Sequence, residues 1–150
     1  MRKLFLAAAL VALLALPSGA AGDAVYHSQH LVLHPVGAAP LHSGFVENIH
    51  VNGPNIYAHE VYVLNGAQPN ATYQVTLLLF PFSTSCGDTP VPIPTATLTT
   101  NGHGNGKAQA FFHPGDVPPA LRGASHGLIW QLSSGGSIVY ATDCSPVTLD

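Results

Sequence analysis

The chemistry-bearing residues that stand out in this chain are its nine histidines, which outnumber lysine and arginine together. Imidazole is the commonest transition-metal ligand, and it is the side chain that ordinarily changes charge between about pH 5 and 8. His27, His30 and His34 fall close together, and His50, His59, His103 and His113 follow at wider spacing. A zinc or copper ion held by a subset of these seven is the metal chemistry the sequence could support. On an extended strand His30 and His34 share one face and His27 takes the other, so the first three cannot chelate from one regular strand. Partners would have to come from His50, His59, Glu60, His103 or His113. The plainer reading is that histidine replaces lysine on the surface of a chain in which only 7% of residues are charged.

Other arrangements fail on inspection. His59-Glu60-Val61-Tyr62-Val63 begins like a zinc-protease helix motif, but Val63 stands where the second histidine belongs, and the segment has strand character. Asn101-Gly102-His103-Gly104-Asn105-Gly106 has the glycine of a calcium loop at its sixth position. It has no carboxylate at 101, 103 or 105, and Phe112 stands where the bidentate acid is needed. There is no G-x-S-x-G elbow, no phosphate-binding loop and no dinucleotide fingerprint. A hydrolase would have to assemble its triad from scattered Ser, His and Asp. Asn70-Ala71-Thr72 matches a glycosylation acceptor, but the leader and composition have a bacterial character, so no glycan is expected.

The positioning elements begin after a leader. Arg2 and Lys3 precede an apolar run from Leu4 to Leu16, Pro17 ends it, and Ser18-Gly19-Ala20-Ala21 supplies small residues for cleavage. These features predict a signal peptide over residues 1–21 and a single domain over 22–150. The run is shorter than the roughly 20 residues that span a bilayer, and no later segment is long or apolar enough, so no membrane span is expected after cleavage. Removal of Arg2 and Lys3 leaves Lys107 and Arg122 against seven acidic residues, a net charge of −5 with histidine neutral. Two cations cannot make a nucleic-acid footprint. Cys86 and Cys144, in an exported chain and without C-x-x-C spacing, read as one structural disulfide.

Beyond the leader there is no helical periodicity. Short β-branched and aromatic runs are cut by Gly, Pro and Asn about every ten residues. Strands are predicted over 25–34, 45–51, 56–64 and 73–80, the last apolar on both faces and so expected to be buried on each side. The prolines at 81, 90, 92 and 94 predict an extended loop. Two hairpins follow. The first has arms 95–100 and 107–112 around the glycine-rich turn; the second has arms 128–133 and 138–143 around Ser134-Gly135-Gly136. Trp130 is the expected core anchor, and a last short strand is expected over 147–149.

Between the third and fourth of these strands, Asn65-Gly66 and Pro69-Asn70 turn the chain before Tyr73 opens the next strand. The segment Leu64 to Val75 resembles the tyrosine-corner region of fibronectin type III and immunoglobulin-like modules. Leu64, Gly66, Pro69, Asn70 and Tyr73 occupy the places of that pattern. The resemblance implies a crossing from one sheet to another, with the Tyr73 ring packed beneath it and its hydroxyl returned to the backbone. The layout, including the 101–106 turn and the ending Tyr140-Ala141-Thr142-Asp143-Cys144, is also similar to small exported bacterial proteins of unassigned function, which implies no activity.

The expectation is therefore an all-β protein: an immunoglobulin-like β-sandwich of about seven to nine antiparallel strands with one disulfide. It would be secreted or periplasmic, and would bind an extracellular or cell-surface partner or serve a structural role there, without catalysis or a cofactor. A histidine-dependent zinc or copper protein is the alternative, and a small extracellular hydrolase the third reading.

Overall fold

A computed structural model describes residues 27–51 and 55–149, so the leader expected over 1–21 lies outside the described residues. The chain is all-β. Nine strands run in order: β1 His27–Pro35, β2 Ser43–His50, β3 Ala58–Asn65, β4 Thr72–Phe80, β5 Val91–Thr99, β6 Gly106–Phe112, β7 Ala124–Ser134, β8 Ser137–Thr142 and β9 Ser145–Leu149, with one 3-10 turn at Pro119–Leu121. All strand pairs are antiparallel, and the path of neighbours is β5-β4-β7-β8-β1-β2-β3-β6, with β9 also on β7.

β1 joins the two halves of this path. Its first part pairs with β2, up to Val32 opposite Phe45, and from Leu33 its partner becomes β8. β8 and β9 lie end to end along β7. Between them the chain bulges, and the Thr142 hydroxyl accepts the Trp130 amide N–H at 3.0 Å in place of a ladder bond. Cys144 sits in this bulge and is bonded to Cys86 with an S–S length of 2.04 Å, as the cysteine count predicts. The disulfide holds the 81–90 loop against the start of β7, where Gly127 donates to the Ser83 carbonyl at 2.7 Å. A Cβ at 127 would meet Cys86 Sγ at 2.7 Å, so that contact requires glycine.

The core fills the space between the halves by period-two alternation. Val46, Tyr62 and Leu64 face Tyr73, Val75, Leu98, Trp130, Leu132 and Tyr140, all essentially without solvent exposure. Trp130 is the anchor expected of it, at 0% exposed. β4 alternates buried with exposed or half-buried positions rather than being apolar-buried on both sides, because its outer face carries Thr72, Gln74 and Thr76. That face is a ladder of neutral polar pairs, with Thr97 donating to Gln74 and Thr72 meeting Thr99.

The second hairpin forms as expected. Ser134 pairs with Ser137 across Gly135 and Gly136, whose φ values of 59° and 81° suit the twist of a two-residue turn. The first does not. β5 pairs with β4 and β6 with β3, and these two strands end the path without a ladder between them. Pro92 and Pro94 belong to β5 rather than to a loop. They remove two N–H donors from it, as is tolerated on a strand with one free edge. The polar groups of the 101–106 turn go instead to the connection between β3 and β4. Ala67 donates to the Gly104 carbonyl, Asn70 to the Asn101 carbonyl, Thr100 to the Ala71 carbonyl, and Gly66 to Asn105 Oδ1.

Thr100 locks this junction with its side chain, donating to the Gln68 carbonyl at 2.6 Å and accepting the Ala71 N–H at 3.0 Å. Tyr73 is buried beneath the crossing with its ring 5.5 Å from that of Tyr140. Its hydroxyl, however, makes no close bond to the corner backbone; it interacts loosely with the Tyr140 hydroxyl, and the bond back to the backbone is made by Tyr140, which donates to the Pro40 carbonyl at 2.6 Å.

Candidate ligand-binding cavity

The inward face of β2, β3 and β6 carries two rows that break the apolar pattern. Asn48, Glu60 and Ala110 are directly opposite one another, and His50, Ala58 and Phe112 form the next row. Alanines at 58 and 110 leave space where larger apolar side chains would otherwise close the core. Leu77, Leu79, Leu128 and Leu149 approach from the other half but do not fill it. The result is a cavity of about 330 Å³, within the range of about 300–1,000 Å³ typical of small-molecule sites. Its mouth lies at the seam where β5 and β6 fail to pair, between Ile93 and Pro94 on one side and Phe111 and Phe112 on the other, with Asp116 and Pro118 at the rim.

Glu60 is 2% exposed on the wall of this cavity. The Tyr62 hydroxyl donates to Glu60 Oε2 and lies 2.7 Å from Thr95 Oγ1, which in turn is 3.4 Å from the Val75 carbonyl. Thr95 reaches this position because it is the extra residue of a β-bulge. Ala96 pairs with Val75 and Pro94 with Thr76, so Thr95 has no partner and its side chain turns inward. Burial pushes the Glu60 carboxyl up to about 7, and the Tyr62 hydroxyl and the more loosely placed Trp130 indole N–H draw it partly back. Burial, with the Glu60 carboxylate beside it, likewise raises Tyr62 above the ordinary phenol range.

A phenol has one proton, so the direction of this chain depends on Glu60. With Glu60 ionised, Tyr62 donates to it and accepts from Thr95. With Glu60 protonated, the carboxyl can donate to Tyr62, Tyr62 to Thr95, and Thr95 to the Val75 carbonyl.

Beside this chain, the Asn48 side-chain amide lies 3.3 Å from His50 Nε2, and both residues are buried. The His50 ring meets the Tyr57 ring edge-on at 5.7 Å, and the Arg122 guanidinium stands 5.3 Å from the Tyr57 centroid. Arg122 is engaged by the Val117 and Pro114 carbonyls, which its guanidinium reaches as a donor. The cavity wall offers one aliphatic hydroxyl among the described residues, Thr95, and it is already held by Tyr62 and Val75.

The seven histidines singled out from the sequence are dispersed. His30 lies on the outer face, 2.9 Å from Glu47 and against the Phe45 ring; His34 is 3.5 Å from Asp143. His59 stacks on Phe111 at 4.3 Å, also outside, with its Nε2 3.1 Å from Gln109. His103 is exposed in the 101–106 turn, and His113 binds the Asn55 carbonyl through Nδ1 at 2.7 Å. His27 is opposite His50 in the register. Of the histidines whose side chains are described, His50 alone lines the cavity. Among the described residues no group of three or more His, Cys, Asp or Glu is placed to hold a metal ion.

Glu60 was visible in the sequence as part of a failed zinc motif and as a possible partner of the histidines in a metal site. The signal that identifies it is alternation: Ala58, Glu60, Tyr62 and Leu64 share a face, so the carboxyl had to go in with the tyrosine and leucine. Thr95 had no such signal, because its inward turn depends on the bulge. In the 101–106 turn, the Asn101 side chain accepts the N–H groups of His103 and Asn105 at 2.9 and 3.0 Å, and Asn105 accepts that of Gly66. Their oxygens are therefore committed to the backbone.

Among the described residues no helix is long and apolar enough to cross a membrane. No protein-family model, curated protein or solved structure matches the chain.

Proposed function

We propose that this chain is an exported, non-catalytic β-sandwich module of immunoglobulin-like type that binds a small, mostly apolar ligand in its interior cavity. One observation carries the reading: a cavity walled largely by Leu, Ile, Val, Ala and Phe has a single buried carboxyl, Glu60, held in place by Tyr62 and Thr95. Apolar walls with a few fixed polar groups are the usual composition of small-molecule sites. The sandwich reading is supported by the β3-to-β4 crossing between strands that are not neighbours, and by β1 dividing its pairing between the two halves. Export is supported by the Arg2–Ala21 leader pattern and the Cys86–Cys144 disulfide.

The test is a screen of small apolar fragments by thermal shift and ligand-observed NMR, run in parallel on the wild type and on Ala110→Leu, which fills the cavity beside Glu60. A ligand present at 100 times its Kd stabilises the native state by about 2.7 kcal/mol. Fragments should raise the melting temperature of the wild type and leave Ala110→Leu unmoved. Absence of any binding fragment, or equal binding to both proteins, would refute the reading.

A further inference from the structure

The geometry points to a ligand of one chemical class: a small apolar amine whose ammonium group pairs with Glu60 inside the cavity. This inference rests on the cavity being the binding site and concerns what it selects.

Four observations carry it. The two carboxyls of the lining, Glu60 deep in the cavity and Asp116 at the rim, face no Lys or Arg of the lining. Lys107 is exposed, and Arg122 directs its guanidinium at the Val117 and Pro114 carbonyls. The groups packed around Glu60 are Asn48 and His50 of β2, Ala110 of β6, Thr95 of β5, Tyr62 of its own strand and Trp130 of β7. None is a fixed cation, and His50 is the one titratable base among them. Finally, Phe112 lines the same space from the inward face of β6, with Tyr57, whose ring already holds Arg122 on one side, beside it, and aromatic faces attract a desolvated cation. A carboxylate ligand would meet two like charges, and a neutral alcohol would leave Glu60 without a counter-charge.

The proton balance follows from the state of Glu60. The unliganded carboxyl titrates at about 7. When an ammonium enters below that pH, the carboxyl gives its proton to solvent and the ligand keeps its own, so one proton is released per ligand bound. Amine affinity therefore rises with pH, by up to tenfold per unit below about 7, and levels off above it. His50 is common to the wild type and Glu60→Gln, so the contribution of Glu60 is read by difference between the two.

The experiment compares benzylamine, benzyl alcohol and benzoate, which share one ring and differ in head group, by calorimetry on the folded protein. Near neutral pH benzylamine should bind at least about tenfold tighter than benzyl alcohol, about one charge-assisted contact's worth, and benzoate should bind most weakly. Glu60→Gln should bring amine and alcohol to near equality. On the wild type alone, amine affinity should climb between about pH 5.5 and 7.5 while alcohol affinity stays level. If the alcohol binds as tightly as the amine, or the amine preference survives Glu60→Gln, the amine assignment is wrong and the cavity stands. If none of the three binds, or Ala110→Leu binds them unchanged, the cavity reading falls with it.

Discussion

At the scale of single residues, the Glu60 carboxyl is held on the buried face of β3, where desolvation outweighs the bond from Tyr62, so ionising it opposes the folded state. Its value in the folded protein, about 7, lies above its ordinary value near 4.5. Between these pH values the native state holds a proton that the unfolded chain releases, and stability falls as pH rises. Glu60→Gln should therefore flatten the stability profile over that window. It should be more stable than the wild type above about pH 7, by on the order of 3 kcal/mol at most; urea melts at a series of pH values check this. The tyrosines give a second contrast. Tyr73→Phe should cost little, about 0.5 kcal/mol or below, because its hydroxyl makes no bond to the backbone and only a loose contact with that of Tyr140. Tyr140→Phe should cost about 1 kcal/mol through the lost bond to Pro40. Equal effects in denaturant titrations would contradict this division of roles.

At the scale of elements, the junction between the β3–β4 crossing and the 101–106 turn governs how the two ends of the strand path meet. Gly104 has a φ of +75°, and a Cβ there would stand 2.1 Å from the Ala67 carbonyl oxygen. Gly102, two residues earlier, has nothing within 4 Å of its Cβ position. Gly104→Ala should destabilise by about 2 kcal/mol or more, while Gly102→Ala stays within about 0.5 kcal/mol; thermal melts of the pair decide it. The turn chemistry of this region was readable, since Asn65-Gly66, Pro69-Asn70 and the glycines of 101–106 all mark turns. What those turns join was not. The glycine-rich turn looked like the tip of a hairpin because both flanks had strand character. Its partners lie more than 30 residues away in the β3–β4 crossing, and no local pattern records that. The seam left between β5 and β6 is what gives the cavity its mouth, so the same non-local pairing hid the site.

At the scale of the whole molecule, the disulfide links residues 58 apart in the sequence. Closing a loop of that length is worth on the order of 4 kcal/mol by chain entropy. A Cys86→Ser, Cys144→Ser double variant should lose a few kcal/mol of stability under oxidising conditions, with an unchanged denaturant slope if the fold persists. An unshifted midpoint would show that the bond adds no net stability. Strand class, strand count, the disulfide and the Trp130 anchor were legible because alternation, turn residues and cysteine number are local or countable. The cavity was not, since it arises from alanines on one half meeting leucines on the other.

The division of β1 between β2 and β8 has a kinetic consequence. Residues 33–35 complete their pairing only with 140–142, so the strand path through β1 cannot become continuous until nearly the entire chain is available. Folds dominated by such distant pairings form slowly, in about milliseconds to seconds. If the chain is exported as proposed, pairing that completes this late would leave it open to threading through a membrane pore before it closes around its core.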